Sequence, residues 1–309
     1  MRIVFMGTPP AAVKSLERVM LDGHEVVAVY TQPDRPSGRG NKLAAPPVKE
    51  FALEHNLAIH QPTKIKTPEA LEIFTAHAAD MAVVVAYGRI LPEGFLNAFP
   101  HGAINVHFSL LPKYRGAAPV NWAIVNGETK TGVTTMKMDV GLDTGDILLQ
   151  EETPIAPGET AVELMARLAE FGANLLSETL RRINDIHPTP QDHANFSLAP
   201  IMKKEDGVID FSLMAEQINN RVRGFQPFPT AHTFYQGKRL IVWKAEPVDP
   251  GAGDKEPGEI IKAEGDEITA ACGGSTALKF VEVQLEGKKR MSARDLLNGV
   301  KMQAGEKLG

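Results

Sequence analysis

One cysteine, Cys272, is all that the 309-residue sequence holds, so no intrachain disulfide can form and a reducing compartment is expected. Long hydrophobic runs are also missing. The stretch Met81 to Tyr87, near the middle of the first half, is far too short to span a bilayer. The N-terminus enters R-I-V-F-M-G at once, without the charged region, apolar stretch and cleavage site of a secretory leader. A cytoplasmic protein without membrane contact is expected. Excess positive charge is lacking as well: the net charge is −5. Residues 1–200 carry 17 Lys and Arg against 22 Asp and Glu, and residues 201–309 carry 16 of each. A sequence-indifferent RNA binder would be basic overall, so any nucleic-acid site here must be a local patch. There is no internal repeat, no low-complexity tract and no Cys/His cluster with zinc spacing, and no metal is expected.

What is present points to two domains with ample core, given the length and a hydrophobic fraction of 43%. Residues 2–6, Glu25 to Tyr30 and Met81 to Ala86 read as strands, with helical segments at 47–56 and 68–77 between them. That alternation predicts an α/β fold, Rossmann-like in its N-terminal part. A dinucleotide fingerprint starting at Gly7 would need glycine at positions 9 and 12, where the chain has Pro9 and Ala12. Nicotinamide binding is therefore disfavoured, although the fold is not. Residues 31–49 form a long stretch rich in Pro, Gly, Arg and Lys, with Arg35, Arg39, Lys42 and Lys49 against the one acid Asp34. Such a loop is usually functional or disordered, and a plain solvated surface fits its composition equally well. An apolar helical stripe runs from Glu159 to Ile183, and His187-Pro188-Thr189-Pro190 then breaks it. The expected organisation is a first domain over 1–186, a linker over 187–204 and a second domain over 205–309. The last has a helix at Leu213 to Gly224 and short β-like runs punctuated by Gly and Pro, which suggests a small β-barrel.

The stretch from Ala103 to Asp143 carries the chemistry. If residues 104–108 form a strand, Asn105 and His107 face the same side. Gly141, Thr144 and Gly145 set Asp143 in a turn, where a carboxylate can be aimed into a cleft. An amide, an imidazole and a carboxylate suit proton movement around a carbonyl. Taken singly, each has a structural explanation: a scaffold histidine, a turn-pinning Asn, a capping Asp.

Their order is more specific. I-N-V-H-F-S-L-L-P-K-Y-R-G-A-A-P followed by T-G-V-T and D-V-G-L-D-T-G-D-I resembles the signature of the 10-formyltetrahydrofolate-dependent formyltransferases. R-I-V-F-M-G-T-P, T-Q-P-D-R-P-S-G-R-G, V-V-A-Y-G-R-I-L-P, K-E-D-G-V-I-D-F and R-V-R-G-F-Q-P-F-P extend the likeness over nearly the whole chain. The resemblance implies a Rossmann-like formyltransferase domain and a smaller C-terminal OB-like β-barrel that binds tRNA. It further implies 10-formyltetrahydrofolate as donor and methionyl-initiator tRNA as acceptor, in translation initiation, with the protein expected to be a monomer. By matching position it puts catalysis on Asn105, His107 and Asp143. Folate contacts fall on Ile90, Leu91 and Pro92, where packing explains the residues nearly as well, and on Ser109, Leu110, Leu111 and Pro112. Contacts to tRNA fall on Arg39 above all, with Arg35 and Lys42. The alternatives are a small-amine acceptor such as an amino-sugar nucleotide or glycinamide ribonucleotide, and hydrolysis of formyl-folate. A non-catalytic RNA-binding protein fits the neutral C-terminal half poorly.

Overall fold

Apolar runs without polar interruption become the buried strands of a parallel sheet, because helices cover both of its faces and leave no side for water. The computed structural model describes residues 1–37, 42–249 and 252–309. They form two units. The first comprises Met1–Pro119, Lys130–Pro154 and Met165–Pro200, and the second Val120–Thr129, Ile155–Leu164 and Ile201–Gly309.

In chain order the first part runs β1 (Arg2–Gly7), α1 (Pro10–Leu21), β2 (Glu25–Tyr30), β3 (Arg35–Ser37), β4 (Lys42–Ala44) and α2 (Pro47–Glu54). There follow β5 (Ile59–His60), α3 (Pro68–Thr75), β6 (Met81–Val85), α4 (Glu93–Leu96), β7 (Ala103–His107) and β8 (Arg115–Gly116). Then come α5 (Pro119–Val125), β9 (Lys130–Lys137), β10 (Ile147–Pro154), α6 (Ala161–Arg181) and β11 (Leu198–Ala199). The main sheet has the order β10-β9-β7-β6-β1-β2-β5. The five strands from β7 to β5 pair in parallel, and β9 and β10 add an antiparallel edge. Every residue of β6 and β7 is buried, as strands at the centre of such a sheet must be. At Gly7 a Cβ would lie 2.8 Å from the Ala12 Cβ and 3.0 Å from the Val85 carbonyl. The glycine lets α1 pack closely on the sheet; it does not need to admit a phosphate. At the carboxyl ends of the strands, Thr8 Oγ1 and Gln32 Nε2 both donate to the Tyr87 carbonyl, and Arg89 Nε donates to Gln32 Oε1. These bonds tie together the rim where open α/β sheets receive ligands.

Two expectations are corrected. The 31–49 stretch is not wholly irregular: β3 and β4 form an antiparallel hairpin with Arg35 opposite Ala44 and Pro36 opposite Leu43. Three-residue strands of Arg, Pro, Lys and Leu leave no apolar period to read. Arg39 lies outside the described residues. Lys49 Nζ binds Asp34 at 2.7 Å, and Gln61 and Lys49 together hold the Asp34 carboxyl below the usual range. Lys49 thus braces the base of this segment. The second correction concerns the linker. Residues 187–200 belong to the first unit: Thr189 exchanges two backbone hydrogen bonds with Ile147, and β11 pairs in parallel with β8. The prolines there rule out a helix but allow an extended strap whose partners lie far away in sequence.

In the second unit come α7 (Ala215–Gly224), β12 (His232–Tyr235), β13 (Lys238–Val248), β14 (Ile260–Glu264), β15 (Glu267–Cys272), β16 (Thr276–Leu285), β17 (Met291–Ser292) and α8 (Ala293–Gly299). The antiparallel order is β12-β13-β16-β15-β14, with β17 on β16, curled as a half-barrel. The C-terminal tail bridges its two edges, since Ile260 N donates to Glu306 O and Gly309 N to Phe234 O. Ile218 and Val222 of α7, Phe280 of β16 and Leu296 of α8 fill its core. Each such side chain contributes about 1.5–3 kcal/mol by leaving water. Helix α5 belongs here too: Asn121 Nδ2 donates to the Gly224 carbonyl at 2.7 Å, and Trp122 meets the Phe225 ring edge-on.

Candidate active site

Strand β7 puts Asn105 and His107 on one face, two residues apart at its carboxyl end, and both are buried. The chain then turns through Ser109 to Tyr114 and returns as β8. Tyr114 adopts a left-handed backbone (φ 61°), and its carbonyl oxygen lies 2.9 Å from His107 Nε2. A carbonyl only accepts, so Nε2 carries the proton and Nδ1 is the ring's open nitrogen. Nδ1 faces Asp143 Oδ2 at 3.7 Å, too far for a hydrogen bond but close enough for an ion pair once the ring is doubly protonated. The Asn105 carboxamide makes no hydrogen bond to another described residue. The residue is 8% exposed and its amide is not among the fully enclosed polar groups, so it is free to bond a ligand.

Asp143 sits in the turn between β9 and β10 with φ 51°, a conformation that a non-glycine residue holds only when its surroundings impose it. Those surroundings are explicit. Gly116 N donates to Asp143 Oδ2 at 2.8 Å, and Gln191 Nε2 donates to the carbonyls of Asp143 at 2.9 Å and Gly145 at 2.7 Å. Asp139 accepts from Thr144 Oγ1 and Gly141 N, which closes the turn from its other side. Gly145 is obligatory, because a Cβ there would lie 1.8 Å from the Lys137 carbonyl. One carboxylate oxygen of Asp143 is therefore anchored, and Oδ1 has no partner among the described residues.

The S-L-L-P segment is held from beneath by Thr134. Its hydroxyl donates to Ser109 O and accepts from Leu111 N and Gln150 Nε2, using its whole hydrogen-bonding capacity. Gln150 Nε2 also donates to Leu111 O, and Ser109 Oγ donates to Lys113 O. Ser109 and Leu111 are thus buried parts of the loop's frame, while Leu110 and Pro112 are half-exposed. After β6, Leu91 is buried, Pro92 half-exposed and Ile90 67% exposed. Ile90 borders a cleft of about 520 Å³ that Lys64, Ile65, Lys66, Thr67 and Arg89 complete. Arg89 is fixed there by its bond to the Thr63 carbonyl. Of the residues assigned to tRNA, Arg35 is exposed on β3, and Lys42 is placed by the β4 backbone.

The geometry joins His107 to Asp143 and puts Asn105 beside His107. Sequence reading missed the residues that hold them. Tyr114 acts through its carbonyl, and Ser197 Oγ accepts from Tyr114 N. Arg115 donates to Gln191 Oε1 from both Nε (3.0 Å) and Nη2 (2.6 Å). Two of these, Gln191 and Ser197, lie in the stretch that reads as a linker. Burial of the Arg115 side chain inside K-Y-R-G was the only available hint, and it needs the fold to be seen.

The family model described as formyl transferase matches residues 1–180, and that of the formyl transferase C-terminal domain matches residues 201–301. The methionyl-tRNA formyltransferase of Koribacter versatilis (strain Ellin345) is 54% identical, covering 100% of this chain and 99% of the relative. That of Solibacter usitatus (strain Ellin6076) is 50% identical over the same shares. Among solved structures, WlaRD, a sugar 3N-formyltransferase with dTDP and 5-N-formyl-THF present, is similar in fold, with a TM-score of 0.67 at 20% identity. The match covers 94% of this chain and 99% of that one.

Proposed function

From its membership of the formyl transferase family, to which the chain belongs over both domains, we propose how this site works and on what. The protein is an enzyme that transfers a formyl group from a formyl-folate donor to the α-amino group of methionyl-initiator tRNA, for translation initiation. Full-length identity of 54% to a curated enzyme of that activity carries this conclusion. The donor is 10-formyltetrahydrofolate.

The amine nitrogen attacks the formyl carbon, and the carbonyl oxygen becomes an oxyanion. Asn105 donates to that oxygen through its unengaged amide, where one such donor is worth about 10²–10³ in rate. His107 works through Nδ1, since Nε2 is committed to the Tyr114 carbonyl. Nδ1 accepts the proton that the amine loses and passes it to N10 as the carbon–N10 bond breaks. Asp143 stabilises the imidazolium from 3.7 Å through its anchored Oδ2, while Oδ1 is open to the attacking amine or a water. The route uses no metal ion.

Ile90, Leu91 and Pro92, with Ser109 to Pro112, form the folate-binding rim. The cleft beside Ile90, with Lys64, Lys66 and Arg89, suits the donor's carboxylates. We assign catalysis to the first unit and contact with the tRNA backbone to the second. Contact with the acceptor end is assigned to Arg35, Arg39 and Lys42.

The test is formyl transfer to initiator methionyl-tRNA, with elongator methionyl-tRNA, glycinamide ribonucleotide, an amino-sugar nucleotide and an acceptor-free blank in parallel. Transfer to the initiator species alone is expected. Transfer to a small amine, or donor hydrolysis in the blank without transfer, would overturn the acceptor assignment.

A further inference from the structure

Gln191 lies in a polar, proline-flanked stretch, yet it is only 4% exposed. Both ends of its carboxamide are occupied. Nε2 donates to the Asp143 and Gly145 carbonyls, and Oε1 accepts twice from the Arg115 guanidinium. Arg115 is equally buried and forms no ion pair with a carboxylate among the described residues. Phe196 lies 5.1 Å beneath its guanidinium, and His193 Nδ1 is 3.2 Å from Nη2. A primary amide meets these demands because it offers two donors and an acceptor without charge. A carboxylate there would set an oxygen against two carbonyls, and an ammonium would repel the guanidinium.

The position of Arg115 gives the arrangement its meaning. The next residue, Gly116, supplies the N–H that holds Asp143 Oδ2. One amide therefore links the two grips on Asp143, the backbone turn on one side and the carboxylate on the other. Neither grip depends on the side chains that line the cleft.

We infer that Gln191 is a positioning residue for the formyl transfer: anchored by Arg115, it fixes the strained Asp143 turn so that Oδ2 stays on Gly116 N and faces His107 Nδ1. This rests on the reading of Asp143 as a participant in the reaction. Displacing a catalytic group by about 1 Å costs on the order of 10²-fold. Gln191→Ala is accordingly expected to lower kcat by about 10–100-fold with KM for donor and tRNA nearly unchanged.

A double-mutant cycle with Asp143→Asn tests it under single-turnover conditions. If Gln191 acts through Asp143, the double variant is no slower than Asp143→Asn alone. Multiplied losses, or a raised KM with kcat intact, would show a merely structural role. Gln191→Met, which fills similar volume without donors, enters the same cycle if the alanine variant does not fold. Gln191→Glu keeps the acceptor for Arg115 and loses both donors, so it must be as slow as Gln191→Ala; a wild-type rate would overturn the inference. Wild-type transfer by Asp143→Asn would instead remove the reading of Asp143 itself, before any Gln191 variant is measured.

Discussion

The two units use their interiors in different ways. In the first, Asn105, His107, Ser109, Arg115, Thr134 and Gln191 are buried polar groups gathered around the carboxyl end of one strand. All but the Asn105 amide and His107 Nδ1 are satisfied by named partners. Burying such groups is costly unless each is paired, so the surrounding loops are shaped to supply partners. In the second unit the equivalent space is an apolar cluster around Ile218, Phe280 and Leu296. On its surface, ion pairs such as Lys262 with Glu267 and Lys307 with Glu256 contribute only about 0–1 kcal/mol each. One cluster is polar and paired around a fixed point; the other is apolar and closes a stable core.

Substitutions in the two units should therefore fail in different measurements. The largest effects belong to the polar interior: His107→Ala should lower kcat by about 10²–10⁴ and Asn105→Ala by about 10²–10³, with the denaturation midpoint little changed. Because these residues act together, the double variant should lose less than the product of the two factors. In the apolar interior, Phe280→Ala should lower the unfolding free energy by about 3–5 kcal/mol in a denaturant titration and leave folate binding intact. Cys272 provides a second readout there. Burial pushes its thiol up to about 12, so alkylation should be negligible in the native protein and faster in Phe280→Ala.

Smaller changes sharpen the contrast further. Thr134→Val strips three hydrogen bonds from beneath the S-L-L-P loop and should raise KM for the donor by roughly tenfold, with a lesser effect on kcat. Arg35→Ala should leave donor kinetics untouched and reduce the slope of log affinity for tRNA against log salt by about one. An equal loss of folate and tRNA binding in Arg35→Ala would mean that the hairpin is structural.

Much of this division is legible in the sequence. The uninterrupted run of Met81 to Val85 declares a central parallel strand, and the spacing of Asn105 and His107 declares a shared face. The glycines around Asp143 declare its turn. What stays hidden depends on contacts between distant residues. Nothing near Gln191 in sequence indicates that its partners are Arg115 and the Asp143 turn. Nothing near His107 indicates that Nε2 is taken by a main-chain carbonyl seven residues later. The short strands β3 and β4 are equally invisible, since their pairing satisfies backbone groups and leaves no hydrophobic alternation behind. Periodicity reports burial, and a residue held by backbone atoms carries no periodic mark.

The most direct measurement is single-turnover formyl transfer by Asp143→Asn, with donor and initiator methionyl-tRNA both prebound and their dissociation constants determined separately. Both substrates should bind as they do to the wild type, while transfer slows by at least about 10². Transfer at the wild-type rate would contradict the role given to the His107–Asp143 pair.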